Sequence, residues 1–247
     1  MPPDARRTRR RTKRYEDSAV LSKRSTAKRN SRERTSAGPS VRTMLGGWVL
    51  NPYLAFFLLL GVGLATLRLE HHLRLTVLWL LLLGVVLLYA ETGRLRASYS
   101  LLNLARGALL GFIVALPLYL FVPGFFRGTA EWLYGITDWQ VLLERAAILV
   151  PILEGAFFRG AVQRERTLVD GAILFALAQG LYVFHAFSQF PAVVISVVLG
   201  MGLLGVLYGY LSDRYGLTAS IACHAVVNMV LFVWPALAER VNDILSF

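Results

Sequence analysis

A single cysteine, Cys223, among 247 residues leaves no internal disulfide framework to staple the fold. Charge is scarce too. Asp, Glu, Lys and Arg make up 17% of the chain against 56% hydrophobic residues, and the mean hydropathy is +0.55, which excludes a soluble domain of ordinary composition. Period-2 alternation is missing from the apolar runs, which excludes a transmembrane barrel. No unit recurs at a solenoid period. No apolar stretch with a small-residue cleavage site follows the early charges, so a cleaved secretory signal is not expected.

What charge there is lies mostly in one place. Residues 1–43 hold 14 of the 26 Lys and Arg and 4 of the 15 Asp and Glu, a net of +10 out of +11. This tail, rich in Arg, Ser and Thr and almost free of large apolar residues, cannot bury enough surface to order itself and is expected to be disordered. Its composition overlaps with organelle transit peptides. It should hold the N-terminus on the cytoplasmic side and can attract anionic lipid; binding of nucleic acid is the less favoured reading.

After Arg42 the chain becomes a series of apolar runs divided by short charged breaks. A membrane-spanning helix needs about 20 such residues, and about seven candidates follow, near 48–67, 75–90, 101–122, 141–163, 171–189, 192–211 and 218–236. The expected fold is all-α: a polytopic membrane protein with a basic tail at 1–43 and a transmembrane domain at 44–247.

An ionisable residue inside such a helix must face other helices or water. Five polar residues stand out by depth: Glu154 and Arg159 in the fourth candidate, His185 in the fifth, His224 and Asn228 in the seventh. His224 and Asn228, four apart, share one helix face. On a regular α-helix Arg159 lies about 140° round from Glu154, free to pair with Glu165 or Asp213 or to reach the helix end. Counted along the helical rise from one membrane face, Glu154, His185 and His224 lie at depths of about 15, 22 and 10 Å, so His185 fits least well. A glutamate in a low-dielectric site is a general base for water, and imidazole and carboxamide groups can ligate a cation or stabilise an oxyanion. His71 and His72 sit in a charged break and are expected to face solvent, while Cys223 reads as a small buried hydrophobe.

The order "EGAFFRG", "AQGLYVFHAF" and "GMGLLGVLYGYLSDRYGLTASIACHAVVN" resembles the CPBP family of intramembrane proteases, the CAAX prenyl protease-like or Abi-type proteins, over about residues 140–235. The family's first motif, two glutamates, three residues and an arginine, is matched by Glu154 to Arg159 with Gly155 in place of the second glutamate. Its second, Phe, three residues and His, is matched by Leu181 and His185. A rival registration places Phe175 and Gln179 there instead, with glutamine replacing the histidine. Its third, His, three residues and Asn or Asp, is matched by His224 and Asn228.

The resemblance implies an intramembrane endopeptidase acting on membrane-anchored or prenylated-type substrates. Glu154 with His185 would activate water, while His224 with Asn228 would bind metal or stabilise the oxyanion, and Arg159 would complete the motif. Either a zinc held by Glu154, His185 and His224 or a metal-free glutamate mechanism fits that part list. The alternative is a catalytically silent membrane protein that uses the same pocket as a scaffold, in immunity or in regulating a partner; Gly155 favours it. A small transporter is the third reading, weakened by the absence of an inverted repeat in the sequence.

Overall fold

A computed structural model describes residues 51–95, 100–134 and 138–245, all within the compact unit Val49–Phe247. The tail at 1–43, with the expectations of disorder and lipid attraction attached to it, lies outside the described residues. The protein is all-α, and no strand occurs among the described residues.

Helix α1 spans Pro52–Ala65, started by the Asn51 side chain, which accepts from the Tyr53 amide, with proline in the first turn. Helix α2 spans His71–Glu91 and α3 spans Leu101–Phe121. Helix α4, Pro123–Tyr134, occupies a stretch that reads as a break in the sequence. Helix α5 is the composite run 139–165, opened by the Asp138 cap, in which π turns at Leu143–Leu149 and Gly155–Val162 interrupt the α geometry on either side of Val150–Glu154. A Thr167–Asp170 capping box starts α6, Leu168–Val183, which ends in a 3₁₀ turn at Phe184–Ala186. Helix α7 spans Pro191–Tyr215; Gly216, at φ +91°, then admits the break before α8, Leu217–Asn228. A π turn at Met229–Val233 leads into α9, Trp234–Leu245.

Five helical runs are long and apolar enough to cross a membrane: His71–Glu91, Leu101–Phe121, Leu168–Ala186, Pro191–Tyr215 and Leu217–Ala238. The other two expected crossings differ for separate reasons. At 14 residues, α1 is about 21 Å long against a hydrocarbon core of about 30 Å. The run 139–165 is broken into short α and π pieces. Burial is inverted as bilayer immersion requires: Phe57, Leu80, Leu109 and Leu203 are exposed while Arg74, Glu154, Gln179 and Asn228 are buried.

Contacts fix which loops share an end. Arg94 pairs with Glu165 at 3.1 Å, Arg164 donates to the Arg94 carbonyl, Arg166 lies over Tyr53 and Arg106 over Tyr215. At the opposite end the rings of His71 and His185 meet at 4.1 Å. His71 is half-buried rather than solvent-facing, whereas His72 is exposed beside Glu70 at 3.3 Å.

Helices α3 and α8 pack backbone to backbone. A Cβ on Gly107 would run into the Ala219 carbonyl, and one on Gly111 would lie 2.6 Å from the Cys223 oxygen. Arg74 ties three helices: 1% exposed, it donates from Nε to the Gly63 carbonyl at 3.3 Å and from Nη2 to the Leu181 carbonyl. Arg74→Met keeps the stem but abandons both carbonyls, so it should destabilise the fold by about 2–4 kcal/mol, from hydrogen bonds to a charged donor worth about 1.5–3 kcal/mol each and only partly additive. Thermal unfolding in detergent is the check, and an unchanged midpoint would contradict the tie.

Candidate active site

Glu154 ends the α-helical piece of α5 and is 0% exposed. Both of its carboxylate oxygens accept from Gln179 Nε2 of α6, each at 3.0 Å. His224 Nε2 of α8 lies 3.9 Å from Glu154 Oε2, longer than a direct hydrogen bond. Tyr182, buried one turn beyond Gln179, lies within electrostatic range of the carboxylate. Three helices thus converge on one buried acid, which meets the requirement that a charge at this depth face protein groups.

The π turn explains the place of Arg159. Where hydrogen bonds close from i to i+5, a residue five positions on returns to the same face, whereas a regular α-helix would leave it about 140° away. Gly155–Val162 is such a turn. Arg159 therefore stays on the Glu154 side. It is 4% exposed, with its guanidinium 4.1 Å from the Phe175 ring, 5.1 Å from Tyr208 and 6.0 Å from Phe158. The loop acids named as its partners are engaged elsewhere: Glu165 with Arg94, and Asp213 with Gln163 at 2.6 Å. The same aromatic rings seat the histidine, since His224 stacks on Tyr208 at 4.6 Å and meets Phe175 edge-on at 5.7 Å.

Asn228 is fully buried, one turn beyond His224. Its Nδ2 donates to the Ala146 carbonyl at 2.7 Å and to the Tyr134 hydroxyl at 3.3 Å. Several buried polar atoms of this cluster have no hydrogen-bond partner: Arg159 Nη1 and Nη2, both ring nitrogens of His224, Asn228 Oδ1 and the Tyr208 hydroxyl. Structural cores pair most such groups, so this concentration marks the cluster out as the candidate site.

His185 stands apart from this cluster. The 3₁₀ turn that ends α6 leaves it exposed, its Nδ1 3.3 Å from the Tyr182 carbonyl and its ring against His71. The structure thus brings together Glu154, Arg159, His224 and Asn228 and sets Gln179, not His185, on the carboxylate. Tyr134 and Gln179 are the residues that the reading of the sequence did not choose.

Residues 136–230 match the model of the type II CAAX prenyl endopeptidase Rce1-like family. This stretch of the chain is similar to that family. No curated protein and no solved structure matches the chain. The Rce1-like segment takes in α5 through α8 and every clustered residue named above except Tyr134, which α4 supplies from outside it. That family is one of proteases, and the long apolar helices point to an integral membrane protein.

A catalytic zinc is held by three protein ligands of the His, Glu, Asp or Cys type. Here Glu154 and His224 supply two, His185 is turned away, and the remaining neighbours are amides. Among the described residues no three His, Cys, Asp or Glu side chains gather as a metal site. The described residues therefore do not supply the three ligands of a zinc centre.

Proposed function

We propose that this protein is an intramembrane endopeptidase that uses Glu154 as its general base on membrane-anchored peptides. The observation that carries the reading is the fully buried carboxylate clamped by Gln179 and faced by His224 inside a segment matching a protease family. Gln179 fixes the orientation of the carboxylate by donating to it and neither gives up nor takes a proton in the reaction. Glu154 takes a proton from water as the water oxygen bonds to the scissile carbonyl carbon and the carbonyl π pair moves onto oxygen. The oxyanion re-forms the carbonyl as the C–N bond breaks, and Glu154 returns the proton to the leaving nitrogen. His224 donates to the oxyanion, and Arg159, caged by aromatic faces, balances the charge of the site.

The polar ends bear on orientation. Arg94, Arg106, Arg164, Arg166 and Arg214 belong to the end reached by the start of α1, so that end and the basic tail are cytoplasmic in this reading.

A silent binding scaffold is the second reading. It is favoured by Gly155 in place of an acid and by Gln179, a group that cannot shuttle a proton, where the motif has histidine. The full-length protein in lipid nanodiscs, incubated with a panel of membrane-anchored peptides and read by mass spectrometry, decides between them. Defined cleavage products support the peptidase, and an intact panel supports the scaffold.

A further inference from the structure

The amide of Asn228 has two N–H groups, and both are engaged within the protein, on the Ala146 carbonyl and on the Tyr134 hydroxyl oxygen. The orientation of the amide is set by its surroundings, because a flip would press Oδ1 against the Ala146 oxygen. Asn228 therefore has no N–H left for a substrate. The Tyr134 oxygen, however, accepts from Asn228, which leaves the hydroxyl's own proton to be donated. Tyr134 is 3% exposed and lies within electrostatic range of Glu154. It is held in place by Trp79, whose ring centroid is 6.4 Å away, and by Phe232 at 5.7 Å, edge to face.

We propose that Tyr134 is a catalytic residue of this site: its hydroxyl donates to the oxyanion formed when water adds to the scissile carbonyl, and Asn228 acts as the positioning residue that aims it. This rests on the peptidase reading. The donor comes from α4, just before the segment that matches the family. No proton changes owner at Tyr134. The O–H bond persists while its hydrogen bond shortens onto the developing negative oxygen, and it loosens again when the C–N bond breaks.

Tyr134→Phe removes only the hydroxyl. In the full-length protein in nanodiscs it should lower kcat by about 10²- to 10³-fold, as loss of one oxyanion donor does, with KM changed less than about threefold. Asn228→Ala should fall in the same range, and the double variant should be no slower than the worse single one, since both remove one interaction. A readout that needs no turnover accompanies this: the Cζ chemical shift of Tyr134, assigned by its loss in Tyr134→Phe, should move in Asn228→Ala. Wild-type cleavage with Tyr134→Phe within twofold of it, additive losses, or an unmoved Cζ shift would each overturn the assignment while leaving the peptidase standing. No cleavage by the wild type would remove the peptidase reading and the donor role together.

Discussion

Glu154→Gln should lower peptide cleavage by about 10²- to 10⁴-fold, the range lost with a general base, while leaving the protein folded. The exchange keeps the size of the side chain and one carbonyl oxygen that can still accept from Gln179, so the contact between α5 and α6 persists in part. It also removes the cost of burying an ionised group that is 0% exposed. The expected signature is therefore a dead or nearly dead enzyme whose thermal midpoint in detergent is equal to or higher than that of the wild type. Equal cleavage by wild type and variant would take Glu154 out of the chemistry.

Gly155→Glu, which would restore the missing acid of the motif, should instead destabilise the fold. A Cβ at position 155 would sit 2.5 Å from Ile221 Cγ1 and 3.3 Å from its Cδ1, so the space that an acid needs is filled by α8. Overpacking alone costs about 1–3 kcal/mol. A second carboxylate in a buried segment one residue from Glu154 adds desolvation and like-charge repulsion, so poor yield or loss of monodisperse protein is expected. Shortening the obstacle tests the cause. Gly155→Glu with Ile221→Ala should recover folded protein, and a double variant as unstable as the single one would put the fault in charge and not in space.

The sequence made the helices legible because each apolar run is closed by groups that cannot remain in hydrocarbon, such as the Thr167–Asp170 box and the Gly216 break. Helix α4 was hidden: its Pro, Gly and charges read as a loop, and its partners lie far along the chain, as in the contact of Tyr134 with Asn228. Glu154, His224 and Asn228 announced themselves by depth. Gln179 came in only through the rival registration with Phe175, as a glutamine where the family has histidine. The helical rise held the clue: Gln179 lies about 14 Å along α6 from Asp170, close to the depth of Glu154, where His185 overshoots by several ångström. No periodicity rule reveals a π turn, which is why Arg159 was placed on the wrong side.

Those π turns make the site depend on residue number as well as residue type. Helix α5 is pinned at one end by the Asp138 cap and followed at the other by the Thr167 box, and the Gly155–Val162 turn holds a residue more than an α-helix would need between such anchors. Deleting one residue there would let the helix relax to α geometry with both anchors kept. Taken from beyond Arg159, that deletion would leave the arginine five positions from Glu154 in α geometry, about 140° round the helix and off its aromatic seat. The length of the segment is in this sense part of the active site, and natural insertions or deletions within it would be read as changes of chemistry, not of linker length.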